Sequence, residues 1–233
     1  MNQEQRIEEL NRKEAYTFED LKTIVDILRG ENGCPWDREQ THKSIRNCMI
    51  EEAYEVVEAI DTENSTLLRE ELGDVLFQIM FHSHIEFEKN EFSVEDVVND
   101  ICEKMIRRHP HVFSGKSVNG SESVLQNWER IKTEEKQRKT LAARLRAVPP
   151  MLPALMRASK VAQKAKLFEE QPNGAEVICK LSKQLAESQT AESLGALLMA
   201  ISVYASSREM DAEQALGQAI EREILRIKSK EAE

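Results

Sequence analysis

The sequence predicts an all-α protein, and three observations carry this expectation. Good helix formers such as Glu, Lys, Leu and Ala dominate the composition, whereas aromatic residues make up only 5% and only 8 of the 233 residues are glycine. Apolar residues recur at helical spacing along almost the whole chain, with short breaks. No stretch shows the strict apolar–polar alternation that is typical of a half-buried strand.

Apolar periodicity also predicts where the helices lie. In chain order they are expected near residues 17–29, 42–61, 66–89, 94–108, 121–146, 153–169, 174–187, 191–206 and 211–229. Ser93 and Ser121 are predicted N-caps, and only Ser93 has an acidic residue, Asp96, placed to approximate a capping box. The run VLFQIMF at 75–81 is apolar on nearly every side of its helix, which predicts burial.

The segment AVPPMLP, at 147–153, contains three of the six prolines. Because proline fixes φ and lacks an amide donor, this segment is predicted to end a helix and to separate two domains, 1–146 and 154–233. ELGDVLFQI (71–79) resembles SLGALLMAI (193–201), which indicates a degenerate internal duplication. The alternative is chance likeness between two amphipathic helices of similar length.

Charge and composition exclude several classes of partner. With 32 basic and 42 acidic side chains the net charge is −10, which disfavours binding to duplex nucleic acid or an anionic membrane. The four cysteines form no C-x-x-C pair, so neither a zinc knot nor a disulfide framework is expected. The charged N-terminus, MNQEQRIEEL, and the absence of a long apolar run predict a cytoplasmic protein without an export or membrane signal.

The helix expected at 42–61 is unusually acidic on one side. A helical projection gives an apolar stripe (Ile45, Met49, Ala53, Val56, Ile60) and, nearly opposite, Glu51, Glu55 and Glu58, with Glu52 at the edge. A solvated helix face usually interleaves Lys or Arg at i+4, yet no basic residue lies between Arg46 and Arg69. A purely solvated face is therefore the weaker interpretation.

The next helix adds Glu71 and Asp74 on a shared face, directly before the apolar run. Two unit charges about 4 Å apart repel by about 4 kcal/mol at an effective dielectric of roughly 20, so converging carboxylates need a positive counterpart. An oxygen-only set of ligands suits a hard divalent ion, Mg²⁺ first and Mn²⁺ second. His82 and His84, spaced i, i+2, face different ways and are expected to have ordinary packing or surface roles.

Basic residues follow at a distance. Lys104 and Arg108 share a helix face at i, i+4, as do Trp128 and Lys132, whereas Arg107 fits a solvated face. Cationic side chains and a divalent ion together bind polyphosphates, which gives Lys104, Arg108 and Lys132 a candidate phosphate-binding role.

Five motifs in order resemble the MazG nucleoside triphosphate pyrophosphohydrolases of the all-α NTP pyrophosphatase superfamily. They are GCPWDREQTH (33–42), EExxE (51–55), ExxD (71–74), KMIRRHPHVF (104–113) and NWERIK (127–132), and the likeness covers roughly residues 17–140. An EExxE motif alone would be weak support, whereas five motifs in family order are specific.

This resemblance implies a helical bundle that forms a homodimer and hydrolyses a nucleoside triphosphate to the monophosphate and pyrophosphate. It implies Mg²⁺ ligands at Glu51, Glu52, Glu55, Glu71 and Asp74, and nucleotide contacts at Lys104, Arg108, Trp128 and Lys132. Glu52 or Glu55 is the candidate general base. Trp36, after the Gly-x-Pro turn, is either a base-stacking residue or a lid on the core.

Two alternatives remain open from the sequence. A pyrophosphohydrolase for dUTP, dCTP or phosphoribosyl-ATP would use the same acidic motifs, and a helical regulatory protein could keep the fold without turnover. Residues 154–233 resemble a second MazG domain that has lost its chemistry, because Ser193 and Ala196 stand where Glu71 and Asp74 would be needed. The preceding helix carries Lys180 and Lys183 in place of carboxylates.

Overall fold

The computed structural model describes residues 2–115, 120, 123–124, 127–128, 130–131, 140–170 and 173–231. Within these residues the secondary structure is helical with no β-strand, which confirms the predicted all-α class. The chain divides into two compact units, Met1–Val118 and Asn119–Glu233. This division falls well before the proline-rich segment, and the domain boundary at 147–153 stays a prediction.

The first unit is built from α1 (Gln3–Asn11), α2 (Phe18–Arg29), α3 (Pro35–Glu39), α4 (Arg46–Asp61), α5 (Ser65–Glu88), α6 (Val94–Arg108) and α7 (Pro110–Phe113). Helices α2, α5 and α6 begin and end within about a residue of the predicted bounds. The sequence did not predict α1, whose start is fixed by a reciprocal capping box between Asn2 and Gln5. The capping box at Ser93 and Asp96 is confirmed, whereas Ser121 lies outside the described residues.

The pairing of α4 with α5 organises the first unit. Thr62 ends α4, Glu63 adopts a left-handed conformation with φ 52°, and Asn64 caps α5 by accepting a hydrogen bond from the Leu67 amide. This short turn reverses the chain, so the two helices pack against each other along their length. The core beside them contains residues from α2, α5 and α6 together with the N-cap residue of α4: Val25, Ile45, Met80, Phe81, Ile85 and Val94.

The predicted apolar stripe of α4 is partly wrong in its phase. Ile45 is buried at 4% exposure, but Ile60 is 55% exposed and Ala53 is also exposed, whereas Ala59 is buried at 1%. The face of α4 that meets the core is therefore rotated away from Ala53 and Ile60. One consequence is that Glu52 lies closer to the packed side of the helix than the projection predicted.

The second unit contains α8 (Leu141–Arg146), α9 (Ala154–Ala165), α10 (Leu167–Glu170), α11 (Gly174–Ser188), α12 (Ala191–Ser207) and α13 (Ala212–Glu231). The predicted continuous helix at 121–146 is wrong, because Thr140 is extended and its hydroxyl accepts from the Ala143 amide to start α8. The predicted helix at 153–169 breaks at Lys166, which is left-handed with φ 56°.

The proline-rich segment ends α8 and precedes α9, as expected, and part of it is packed. Val148 within it is only 2% exposed. Helix α12 packs against α9 and α11, and its buried residues include Ala200, Val203 and Ala205. Across the described part of the chain, every helix is too short or too polar to cross a bilayer.

Candidate metal centre

Three carboxylates converge where α4 and α5 pack together. Glu52 and Glu55 extend from adjacent turns of α4, and Glu71 extends from the first half of α5. One ligand oxygen from each lies within 4.8 Å of the other two. All three are among the five ligands predicted from the sequence. The pairing of α4 with α5 brings Glu71 to Glu52 and Glu55, although it follows them by 16 or more positions in the chain.

The electrostatics of this cluster are unfavourable without a cation. Partial burial raises the pKa of Glu71, with repulsion from Glu55 and Asp74 as further causes. The pKa of Glu52 is raised first by partial burial and then by the negative charge of Asp74 and contact with Glu55. Among the described residues no Lys or Arg forms an ion pair with Glu52, Glu55 or Glu71. The cluster therefore holds negative charge that its own neighbours do not balance.

This donor set fits a hard divalent ion. All the converging atoms are carboxylate oxygens, which Mg²⁺ and Mn²⁺ prefer over nitrogen or sulfur ligands. A bound cation would offset both the burial of charge, which is the main cause of the two raised pKa values, and the repulsion that adds to it. The partial burial of Glu71, which is 8% exposed, also holds one ligand in a fixed position on α5.

The other two predicted ligands have different positions. Asp74 lies one turn after Glu71 and is close enough to raise the pKa of Glu52, although it is exposed. Glu51 is exposed on α4 and is not one of the three converging carboxylates. Its role as a ligand stays a prediction.

The turn between α2 and α3 shows why the GCPWD motif begins with glycine. A Cβ atom on Gly33 would lie 2.2 Å from the carbonyl oxygen of Ile27 and 2.3 Å from that of Leu28. The Cys34 amide donates to the Leu28 oxygen at 2.8 Å, which seats the turn on the end of α2. Pro35 then occupies the first position of α3. The motif thus fixes the path of the chain towards α4.

Arg29 holds this turn from the side of α2, a role that sequence reasoning missed. Its guanidinium donates to both carboxylate oxygens of Glu88, at 2.8 and 2.7 Å. It also donates to the carbonyl oxygens of Asp37, at 2.6 Å, and Gln40, at 3.2 Å, and lies 5.0 Å from the ring centre of Phe81. An arginine in the last turn of an amphipathic helix is usually solvated and interacts with the helix dipole. The sequence around Arg29 therefore did not indicate that its side chain is buried.

The histidines have packing roles, as expected, but their partners were not predicted. His82 Nδ1 lies 2.7 Å from His42 Nδ1, and the rings stack with their planes 9° apart. His42 Nε2 lies 2.5 Å from Glu86. His84 contacts Asp26 at 3.0 Å and Glu88 at 3.4 Å. Because Glu86 meets the far nitrogen of His42, these groups form a hydrogen-bonded chain rather than a set of converging metal ligands.

The basic and aromatic candidates are less well defined. Lys104 is half-buried on α6 and Arg108, one turn later, is 8% exposed. Trp128 is half-buried, and Lys132 lies outside the described residues. Trp36 is 63% exposed, so it does not form a lid on the core. The nucleotide-binding roles of these residues stay predictions.

Comparison with known proteins identifies the family of this chain. Residues 40–113 match the MazG nucleotide pyrophosphohydrolase domain, a segment that contains α4, α5 and α6. A Thermotoga maritima protein named nucleoside triphosphate pyrophosphohydrolase/pyrophosphatase MazG is 40% identical over 224 residues, which cover 92% of this chain and 85% of that protein. The chain belongs to the MazG family. All five predicted ligand positions lie within the segment that matches the MazG domain.

Two further relatives match a shorter part of the chain. An Escherichia coli K12 protein named nucleoside triphosphate pyrophosphohydrolase is 48% identical over 142 residues, which cover 60% of this chain and 54% of that protein. The uncharacterized protein YabN of Bacillus subtilis is 47% identical over 146 residues, 63% of this chain and 30% of its own length. The chain thus spans about a third to a half of these two relatives.

Proposed function

We propose that this chain hydrolyses nucleoside triphosphates to nucleoside monophosphates and pyrophosphate at the cluster formed by α4 and α5. The observation that carries the proposal is the convergence of Glu52, Glu55 and Glu71. The names of the T. maritima and E. coli relatives support the same reaction class. Cleavage of the bond between the α- and β-phosphates would consume one water and would leave the pyrophosphate intact.

Mg²⁺ is the proposed cofactor, with Mn²⁺ as the second choice. Glu52, Glu55, Glu71 and Asp74 would hold it, and Glu51 would add to the set from the exposed side of α4. When bound, the ion supplies charge neutralisation of the triphosphate and of the leaving pyrophosphate. Fixing the carboxylates on two packed helices keeps that positive charge in one place.

Either Glu52 or Glu55 is the proposed general base. A water that attacks phosphorus must lose a proton, and a carboxylate that is not fully used as a ligand can accept it. The two residues are three positions apart on α4 and both reach the cluster, so one can serve as a ligand while the other accepts the proton. Glu55 is exposed, which leaves its carboxylate open to water.

The phosphates and the nucleoside need groups beyond the carboxylates. Lys104 and Arg108 are proposed to bind phosphate from adjacent turns of α6, together with Lys132. Trp128 and Trp36 are proposed to contact the nucleoside, and the exposed indole of Trp36 leaves its ring faces open for stacking. Arg107, exposed on the same helix, is not part of this proposal.

A homodimer is the proposed assembly. Ile50, Tyr54 and Val57, spaced i, i+4, i+7, form one exposed face of α4, with exposures of 41, 52 and 49%. We name this set the α4 outer face. Contiguous apolar residues on a helix exposed to water favour burial against a partner, and a second copy of the chain presents the same face.

The second unit is proposed to be structural and non-catalytic. Ser193 is buried at 4% exposure, and its hydroxyl accepts from the Ser188 hydroxyl and donates to the Thr190 carbonyl, so it is bound within the first turn of α12 rather than facing a ligand. Lys180 and Lys183 are exposed on α11. Neither the hydroxyl nor the two cations can replace carboxylate ligands for a divalent ion.

The proposed reaction is tested by measuring pyrophosphate and orthophosphate release from a panel of ribo- and deoxyribonucleoside triphosphates, dUTP and dCTP included. We expect pyrophosphate release that needs Mg²⁺ and stops in excess EDTA. Glu71→Gln should lower turnover by about 100-fold or more, because it removes a charged ligand at constant volume. A wild-type protein that releases pyrophosphate from no member of the panel would overturn the proposal.

A further inference from the structure

Gln78 is a buried polar residue that the proposed mechanism does not use. Its side chain is 8% exposed, and its Oε1 atom is buried without a hydrogen-bond partner. Among the described residues only one other buried side-chain atom, Ser206 Oγ in the second unit, has no partner. Buried amide oxygens are normally satisfied because leaving one unpaired is costly, so this exception needs a physical explanation.

The position of Gln78 on α5 links it to the carboxylate cluster. It follows Glu71 by seven residues and Asp74 by four, so all three lie on one face of the helix. This is the face that meets α4, since Glu71 converges there with Glu52 and Glu55. The rise of the helix separates Gln78 from Asp74 by about 6 Å and from Glu71 by about 10 Å along the axis.

These observations suggest what the amide binds. Phosphate oxygens are hydrogen-bond acceptors and cannot satisfy the Oε1 atom of Gln78, which needs a donor. The nucleoside carries such donors, as hydroxyl groups on the sugar and N–H groups on the base. A separation of about 6 to 10 Å from the carboxylates suits a nucleoside whose phosphates lie at the cluster.

We propose that Gln78 is a substrate-binding residue whose Oε1 atom accepts a hydrogen bond from the nucleoside part of the substrate. This inference rests on the proposed hydrolysis at the cluster on α4 and α5, and it adds a contact to the nucleoside from within the carboxylate-bearing helix. The unpaired amide is then a cost to the free protein that substrate binding removes.

The test compares Gln78→Leu, which keeps the volume and removes the amide, with Ser83→Ala on the same helix. Ser83 is also buried, but its hydroxyl already donates to the Ile79 carbonyl at 2.8 Å. For Gln78→Leu we expect about a tenfold rise in KM and in the dissociation constant of the nucleoside monophosphate. The inhibition constant of pyrophosphate, which has no nucleoside, should stay unchanged, and Ser83→Ala should leave all three constants unchanged.

Thermal unfolding separates a ligand contact from a structural one. Gln78→Leu should keep or raise the Tm, because it removes an unpaired buried group, whereas a structural amide would leave a less stable protein. A lower Tm, or equal weakening of pyrophosphate and monophosphate binding, would overturn the proposal, as would unchanged monophosphate binding. Comparing ATP with dATP assigns the donor: an effect lost with dATP indicates the 2′-hydroxyl, and an effect retained indicates the base or the 3′-hydroxyl.

Monophosphate binding is measured directly by calorimetry, so the result does not depend on turnover. If the wild type binds the monophosphate but hydrolyses no triphosphate, the proposed function fails while the contribution of Gln78 is still measured. If the wild type hydrolyses triphosphates and Gln78→Leu matches it in every constant, the inference about Gln78 fails alone.

Discussion

The Nδ1 atoms of His42 and His82 lie 2.7 Å apart, so one of them must donate a proton and the other must accept it. His42 also contacts Glu86, which in turn binds Lys89 at 2.6 Å. The pair ties the segment that leads into α4 to the far half of α5. Both helices carry candidate metal ligands, so this contact helps to hold them in register.

We therefore predict a loss of stability at mildly acidic pH. Burial and the nearby charge of His42 lower the pKa of His82, so the folded state favours its neutral form. The stabilisation is present above the unfolded-state pKa, about 6.5, and is lost as pH falls from there through the folded-state pKa. Thermal unfolding between pH 7.5 and 5 should show a steeper fall in Tm for the wild type than for His82→Gln. Parallel curves for the two proteins would contradict this assignment.

Replacement of Arg29 is predicted to destabilise the first unit. Arg29→Met removes two charge-assisted bonds to Glu88 and two bonds to backbone carbonyls, so we expect a loss of about 2–4 kcal/mol in the free energy of unfolding. Urea denaturation would measure it. The matched control is Arg12→Met, because Arg12 pairs with Glu8 on the surface and is 75% exposed. That control should change stability by less than about 1 kcal/mol, and an equal effect of both variants would refute the assigned role.

Gly33 is predicted to tolerate no side chain. In Gly33→Ala the new methyl group would overlap the carbonyl oxygens of Ile27 and Leu28, which are backbone atoms at the end of α2. The turn must shift, and we expect a loss of more than about 2 kcal/mol together with reduced activity. Gly195→Ala is the control, since a Cβ there meets nothing within 4 Å and helical alanine is favoured over glycine. Equal stability of the two variants in urea would show that the close approach is relieved at no cost.

The sequence predicted most helices because their signals are local. Thr17 and Asp20 form a capping box at the start of α2, and Ser93 and Asp96 do so for α6. Which side of α4 faces the core was harder to predict, because apolar periodicity does not show which of two adjacent apolar residues packs against a neighbouring helix. Ala59, not Ile60, is the buried one. Packing against α5 decides this, and packing is not visible in one helix.

The candidate site also has features that the sequence predicted and features that it did not. Residue type and spacing predicted an acidic face without basic neighbours, and the family resemblance added the ligand set in which Glu52, Glu55 and Glu71 lie close together. The contact of His42 with His82 spans 40 positions, and Arg29 and Glu88 are 59 positions apart. Such contacts depend on how α2 and α5 pack, so no local pattern could predict them.

The α4 outer face is predicted to hold a homodimer together. Val57→Arg places a charge in the middle of the set Ile50, Tyr54 and Val57, so the molar mass from light scattering should fall from two chains to one at micromolar protein. Phe87→Arg is the control, because Phe87 is 58% exposed on a side of α5 that points away from α4. A monomeric wild type would contradict the proposal, and so would a Val57→Arg protein that remains dimeric.

The last prediction concerns the effect of the charged carboxylate cluster on the stability of the fold. The raised pKa of Glu71 means that its protonated form is favoured in the fold, so the contribution of this group to stability is full below the unfolded-state pKa and is lost as pH rises through the folded-state pKa. Without metal at neutral pH, Glu71→Gln should therefore raise the Tm above that of the wild type.

Addition of Mg²⁺ should reverse this order. A divalent ion that binds the folded wild type raises its Tm in proportion to the logarithm of its concentration above the dissociation constant, and Glu71→Gln should lose most of that shift. Glu63→Gln, on the exposed turn after α4, controls for general salt effects and should keep the full shift. Differential scanning calorimetry with Mg²⁺ and with EDTA gives both quantities. If Glu71→Gln is less stable than the wild type in EDTA and equally stabilised by Mg²⁺, then Glu71 is a structural residue and the metal binds elsewhere.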